Sequence, residues 1–482
     1  MSTTPKNLLF IMSDEHNKEM TGCYGHPVVK TPNIDKLASN GVRFESAYCN
    51  SPICVPSRAS MATGRYPHQI ESWDNAHPYD GTIPSWGHRL TEQGYKVTTI
   101  GKLHFRNDED DTGFPDQRYP MHVHGKGDLY SLIREDMEDR PKERQKILDA
   151  GPGESSYTRY DENTAQEARN FILNEGRDSD KPWVLFVSFG TPHFPLIAPE
   201  EYYSMYPLED VVFPKYYSLE ERHNHPILQE IRRITVLDDE LDEMAVRKAV
   251  AAYYGLCSFM DAQIGKVLGA LEEAGLAEDT RIIYTSDHGD TIGEHGHWFK
   301  STMYEGSVSV PFILSGPDLP KGKVVKNHVS LIDCFPTIVN AVGANLNEED
   351  QDLPGQSLFQ IATGERDPER TVFSEYHAAN SSTAYFMLRY KQYKYIYYVG
   401  YEPQLFDLEQ DPGEKEDLAS LEAYQSVLEE CEKELRKIAD PELLDKRARR
   451  SQANKIEENG GKEKILQTGF AIPYSPTPKQ FQ

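Results

Sequence analysis

The chain has 482 residues, 77 of them acidic and 51 basic, and its net charge of −26 argues against nucleic-acid binding and a polybasic membrane contact. No apolar run approaches the length of a membrane span. Six cysteines at irregular spacing (Cys23, Cys49, Cys54, Cys257, Cys334, Cys431) make neither a disulfide framework nor a zinc motif, and the length suits one large domain with an appendage.

In chain order, Leu8 to Met12 reads as the first strand of a sheet, too short for a signal segment with its cleavage site, and it ends at Asp14 and Glu15. A cytoplasmic protein is the expectation. Thr31 to Gly41 is helical by spacing, with Ile34, Leu37 and Ala38 on one face. The run Cys54-Val55-Pro56-Ser57-Arg58 opens another helix, because Pro56 suits a first turn and Ala59 to Ala62 continue to a stop at Gly64. Cys54 then lies at the positive end of that helix and Arg58 one turn further on the same face. Unpaired N–H groups, the macrodipole and a planar guanidinium fork all favour an anion there. With three residues between Cys and Arg, the span is too short for the phosphate-wrapping loop of a cysteine phosphatase.

Lys96 to Ile100 ends at Gly101-Lys102-Leu103-His104, and strand alternation would point Lys102 and His104 to one side. Trp183 to Phe189 ends at Gly190-Thr191-Pro192-His193, and Arg281 to Tyr284 ends at Asp287-His288. Polar insertions at about 106–160 and 200–245 are expected to be substrate-facing loops or solvated decoration. The long Val246 to Gly275 segment is helical. Strands alternating with helices predict an α/β fold with a large, mostly parallel sheet sandwiched by helices, in which ligands bind outside the carboxyl ends of the strands. Asp14, Glu15, Asp287 and His288 are the oxygen-rich set, with one nitrogen, that a hard divalent cation prefers.

Near residue 370 the texture changes to aromatic antiparallel strands, Tyr385 to Tyr390 and Tyr393 to Tyr398, then Gln404 to Leu408 and a turn at Asp411-Pro412-Gly413. The chain therefore divides into residues 1–370, a catalytic α/β domain, and 371–482, a small C-terminal α+β subdomain with an antiparallel sheet and an extended tail. From about Leu444 the tail is charged, then Pro-containing and aromatic through Phe470 to Phe481. It is expected to be disordered or to form an arm on a neighbouring subunit.

Ser51-Pro52-Ile53-Cys54-Val55-Pro56-Ser57-Arg58, followed by Thr63-Gly64-Arg65-Tyr66-Pro67, resembles the signature of type I sulfatases of the alkaline phosphatase superfamily. Leu405-Phe406-Asp407-Leu408-Glu409-Gln410-Asp411-Pro412 is similar to a phrase of the sulfatase C-terminal subdomain. The resemblance implies an alkaline-phosphatase-like fold and a cysteine, Cys54, that a maturation enzyme oxidises to formylglycine, whose hydrated aldehyde is the nucleophile. It places a divalent cation, Ca2+ or Mn2+, on Asp14, Asp287, His288 and the position-54 side chain, with Glu15 a further candidate ligand. Arg58 would hold sulfate oxygens, and Asp287 would take a proton from the attacking hydroxyl. Gly101-Lys102-Leu103-His104-Phe105 resembles a second signature, in which Lys102 binds an oxygen and His104 removes the second geminal proton to expel sulfate. His193 and Lys300 match positions at the ester bridge, and Asn75 resembles a substrate contact of choline sulfatases and phosphonate monoester hydrolases. His295 and His297 are expected to be structural.

The implied activity is arylsulfatase-type hydrolysis of a small-molecule sulfate monoester by a homo-oligomer, dimer or tetramer. The alternatives are phosphonate monoester or phosphodiester hydrolysis, choline sulfate hydrolysis, and a silent relative that binds anions with an unmodified thiol. The Lys102 to His104 phrase favours sulfate over phosphonate. Trp73, Tyr79 and the aromatic residues of the insertions are candidates to stack on a phenol, cage a quaternary ammonium or line a sugar site.

Overall fold

The computed structural model describes residues 6–468 and 475–482. Its strands are β1 (Asn7–Asp14), β2 (Gly41–Tyr48), β3 (Lys96–Lys102), β4 (Asp116–Met121), β5 (Gly151–Pro152), β6 (Trp183–Pro192), β7 (Ile197–Ala198), β8 (Thr280–Ser286), β9 (Phe312–Ser315), β10 (Lys323–Ser330), β11 (Val372–Tyr376), β12 (Tyr385–Tyr390), β13 (Tyr393–Tyr398) and β14 (Gln404–Asp407). Eight of them form one sheet in the order β10-β2-β9-β8-β1-β6-β3-β4. Neighbours are parallel except at β9, which runs against both β2 and β8.

β1 shows why these strands read as continuous apolar runs. Leu8, Phe10 and Met12 pack to one side with Met61, Trp86, Leu90, Phe335 and Ile338. Leu9 and Ile11 pack to the other with Ile34, Leu37, Ala168, Ile264 and Val267. Burial on both faces removes the alternation that a half-exposed strand would show. Helices Cys54–Thr63, Trp86–Glu92 and Cys334–Ala341 supply the first layer, and Pro32–Ser39, Ser156–Asn170 and Glu243–Ala274 supply the second. The last of these, 32 residues long, is capped by Asp242, whose carboxylate accepts from the N–H groups of Met244 and Ala245, and it stops at Gly275 with φ 73°.

The second sheet, β11-β12-β13-β14, is antiparallel throughout. Tyr385, Met387, Ile396 and Tyr398 face the main core, whereas Phe386, Leu388, Tyr395 and Leu405 meet Cys431 and Leu435 of the Gln425–Ile438 helix. It is a middle layer, which accounts for its aromatic content on both faces.

The tail departs from expectation. Pro441–Glu458 and Lys462–Thr468 are helices, and residues 475–482 fold back on their own chain; Phe470 lies outside the described residues. The first of these helices has a cap at Asp440, which accepts from Leu443 N–H, but a thin buried stripe of Leu444, Ala448 and Gln452 that carries almost no apolar periodicity. The insertions also hold regular structure: Pro226–Thr235 buries Ile227, Leu228, Ile231 and Ile234.

Candidate active site

The four central strands β8, β1, β6 and β3 are adjacent and parallel, so their carboxyl ends share one edge. β1 ends at Asp14, β3 at Lys102, β6 immediately before His193, and β8 immediately before Asp287 and His288. Beyond Asp14 the chain turns through Glu15 at φ 66°. Its N–H donates to Asp287 Oδ1 at 3.1 Å and its carbonyl accepts from Tyr253 Oη at 2.5 Å.

The Cys54–Thr63 helix starts after the extended Ile53 and ends at Gly64 with φ 68°, with all ten residues buried. Val55 N–H donates to Asn75 Oδ1 at 3.3 Å, and Ser57 Oγ donates to the Asp287 carbonyl at 2.5 Å. These contacts fix the helix start against the end of β8. Cys54 Sγ consequently lies 3.1 Å from His288 Nε2 and 3.7 Å from Asp14 Oδ1. Ligand-type atoms of Asp14, Cys54, Asp287 and His288 all fall within 4.8 Å of one another, and Asp14, Glu15 and His193 form a second such group.

Arg58 donates from Nε to Asp287 Oδ2 at 2.7 Å and from Nη1 to the Lys102 carbonyl at 2.7 Å and Ser188 Oγ at 2.8 Å, with Nη2 3.6 Å from Asp14 Oδ2. Lys102 Nζ pairs with Asp14 Oδ2. Lys300 Nζ donates to Glu15 Oε2 at 2.7 Å, and His193 Nε2 stands 3.3 Å from the same oxygen. Glu15 Oε1 is buried with no hydrogen-bond partner among the described residues. Glu15 thus faces Lys300 and His193 and lies outside the group around Cys54.

A cavity of about 510 Å³ opens over this cluster, lined by Cys54, Asn75, Lys102, His104, His193 and Lys300. Asp14, Glu15, Arg58, Asp287 and His288 are buried behind it. Both insertions contribute to the outer wall, through Tyr130, Arg140 and Lys146 and through Ile231 and Thr235. Three expectations change. Lys102 and His104 reach one cavity through a turn, with Gly101 at φ 104° and His104 at φ 61°, because β3 stops at Lys102. Gly101 permits that turn, since a Cβ there would lie 2.1 Å from the Ser188 carbonyl oxygen. Trp73 and Tyr79 are core residues away from the cavity, packed against His377 and Phe105 at 5.1 Å and 5.0 Å. Arg58 faces Asp287 and the Lys102 carbonyl instead of the cavity. His295 stacks on Tyr304 at 4.1 Å, and His297 Nε2 accepts from Arg232 at 3.0 Å while also lining the cavity.

Burial pushes the Cys54 thiol up to about 12, with Asp14 adding to the effect, so the thiol is protonated at neutral pH. Burial would also raise the Asp14 carboxyl, but Lys102, His193 and Arg58 hold it well below the usual carboxylate range. Burial lifts Glu15 to about 7 against the pull of Lys300. Both His104 and His193 are driven well below the imidazole range by burial, then by Lys102 and Arg58 in the first case and by Lys300 in the second. Several contributors have no sequence signal. Ser188 holds Arg58, and Asp161 accepts from Gly190 N–H at 2.7 Å and Thr191 N–H at 2.8 Å, fixing the end of β6.

The Sulfatase family model matches residues 6–344, and one described as N-sulphoglucosamine sulphohydrolase, C-terminal, matches residues 293–441. A choline-sulfatase of Rhizobium meliloti (strain 1021) is 31% identical over 437 residues, covering 87% of this chain and 83% of its own. Arylsulfatase K of Bos taurus is 30% identical over 458 residues, covering 90% and 81%. The phosphonate monoester hydrolase of Agrobacterium radiobacter superposes with a TM-score of 0.72 at 26% identity, over 90% of this chain and 95% of that one.

Proposed function

The chain belongs to the sulfatase family and hydrolyses sulfate monoesters, and from that premise we propose how its own residues do so. Cys54 is converted by a maturation enzyme to formylglycine, and one hydroxyl of the hydrated aldehyde attacks sulfur. The observation that carries this reading is convergence: one helix start and four strand ends deliver Cys54, Asp14, Lys102, His193, Asp287 and His288 to a single cavity edge.

Asp14, Asp287 and His288, beside position 54, would hold a divalent cation, Ca2+ or Mn2+. Two buried carboxylates and one imidazole, all within reach of one point, are a fitting donor set. When bound, the ion supplies positive charge that offsets the sulfate and polarises the nucleophile. Lys102, on the cavity wall, binds a sulfate oxygen. Arg58 acts as a positioning residue, orienting Asp287 and the Lys102 carbonyl, and Asp287 takes the proton of the attacking hydroxyl.

Glu15 orients Lys300, which donates to its Oε2. Lys300 is the better donor to the departing ester oxygen. His193 Nδ1–H is tied to the Phe194 carbonyl at 2.7 Å, and the neutral ring then carries a lone pair on Nε2. His104 next takes the proton of the second hydroxyl of the sulfated hydrate. The carbonyl reforms, the carbon–oxygen bond to sulfate breaks, and water restores the hydrate.

An aryl leaving group suits the outer cavity better than choline. Two of the rings lining the cavity already carry lysines, with Lys146 Nζ 3.9 Å from the Phe194 centroid and 5.4 Å from Phe299, and Lys300 Nζ 5.1 Å from Phe194. Phosphonate monoester hydrolysis is the second reading, favoured by the structural match to the Agrobacterium radiobacter enzyme. Rates on an aryl sulfate, choline sulfate, a sulfated sugar and an aryl phosphonate monoester test both readings. The aryl sulfate should be turned over fastest, and no turnover of any sulfate ester would refute the assignment.

A further inference from the structure

Residues 475–482 run back against the catalytic cavity. Ser475 lines it, with Oγ 2.5 Å from His104 Nε2, while the Ser475 carbonyl accepts from Tyr157 Oη at 2.8 Å. Tyr157 itself lies beneath the site, its ring 5.9 Å from Lys102 Nζ and 5.7 Å from the His193 ring. Six residues on, Phe481 is buried with Met121, Tyr157 and Tyr160, edge-on to Tyr119 at 5.1 Å and to Tyr160 at 5.5 Å. Thr477 is 1% exposed, and its carbonyl accepts from Gln482 Nε2 at 2.7 Å.

The same β4 residue that packs on Phe481 also holds the base. The Met121 carbonyl accepts from the N–H groups of both Leu103 and His104, at 3.2 Å and 2.8 Å. His104 adopts φ 61°, a conformation a β-substituted residue keeps only where its surroundings impose it. Its Nδ1 has no hydrogen-bond partner among the described residues, so the bond to Ser475 is the ring's polar tether. An imidazole rotates about two bonds, and a fixed partner on Nε2 restricts that rotation.

We propose that this C-terminal arm is a working part of the active site, in which Ser475 is a positioning residue that holds the ring orientation of His104, and Phe481 is the anchor that keeps Ser475 in place. The inference rests on His104 being the base that releases sulfate. Steady-state kinetics of Ser475→Ala, Ser475→Thr, Phe481→Ala and His104→Ala, in proteins matched for formylglycine content and thermal midpoint, separate the two claims. Ser475→Ala should lower kcat roughly tenfold to a hundredfold with KM within about twofold. Ser475→Thr, which keeps the hydroxyl, should recover most of that loss. Phe481→Ala, which releases the arm without touching the cavity, should reproduce the Ser475→Ala loss. Unchanged or raised kcat in Ser475→Ala, or no recovery in Ser475→Thr, would overturn the inference while His104→Ala remained inactive. Full activity in His104→Ala would instead overturn the underlying reading of the base.

Discussion

Arg58 uses Nε on Asp287 and Nη1 on the Lys102 carbonyl and Ser188, all of them buried. Lysine cannot reproduce that planar fork, so Arg58→Lys should lower kcat by more than about tenfold, and Arg58→Ala should also destabilise the fold by roughly 3–5 kcal/mol by leaving Asp287 without its partner. Kinetics and denaturant melts check the pair; an Arg58→Ala protein of unchanged stability would show that the Asp287 contact is dispensable. Lys102→Ala should reduce kcat by about 10²–10³, measured on protein with formylglycine intact, and an unaffected kcat would remove Lys102 from the site. At this scale Asp14, Lys102, His193, Asp287 and His288 were legible because each follows an apolar run at the point where it turns polar, whereas Cys54 and Arg58 were legible from a helix-start motif and Lys300 from a family resemblance. Ser188, Asp161 and Tyr157 were not, since a serine in a strand and an aspartate or tyrosine in a helix look ordinary until the fold brings them under the cavity. Arg58 was legible in its identity but not in its direction, which depends on Asp287 arriving from a strand 229 residues away.

The four-stranded sheet is fastened to the segment after the Cys54 helix by one carboxylate. Glu375 in β11 accepts from His68 N–H at 2.9 Å and lies 2.8 Å from His68 Nδ1 and 2.9 Å from His377 Nε2. Burial would raise its pKa, but the two imidazoles bring it down from 4.5 to about 2. A depressed folded-state value means that the stabilisation is complete above about pH 4.5 and is lost as pH falls towards 2. The linked free energy is on the order of 3 kcal/mol. Glu375→Gln should therefore lower stability at pH 7 and flatten the stability–pH curve over that acid window, as followed by urea melts; identical curves for both proteins would contradict the link. The strands β1, β3, β6 and β8 and the helices Pro32–Ser39 and Glu243–Ala274 were legible as elements because burial on both faces or a full turn-by-turn stripe writes itself into composition. Pro441–Glu458 was not, because its buried stripe of Leu444, Ala448 and Gln452 is too narrow to show through so many charges. The turn after β3 was hidden for a different reason: positive φ at His104 is imposed by its neighbours and has no signature of its own.

The chain as a whole carries a net charge of −26, yet it brings Lys102 and Lys300 to one cavity with Arg58 buried behind it, balanced by Asp14, Glu15 and Asp287. Such a centre should respond to its cation across the whole fold. Ca2+ or Mn2+ at a hundred times its dissociation constant should add about 2.7 kcal/mol of stability and raise the thermal midpoint, with no shift in Asp287→Asn; an equal shift in both would place the ion elsewhere. Chelation should abolish turnover reversibly. The parallel architecture was legible from the alternation of strands and helices, whereas the return of residues 475–482 to the cavity was not, because no local pattern encodes a contact between Ser475 and His104 across 371 positions. The central claim is that position 54 acts as formylglycine, and the mass of the tryptic peptide Phe44 to Arg58 from active protein, reduced and alkylated, tests it most directly. That peptide contains Cys49 as well as Cys54. The account predicts one alkylated cysteine, Cys49, and an aldehyde or its hydrate at position 54; two alkylated cysteines throughout fully active material would contradict it.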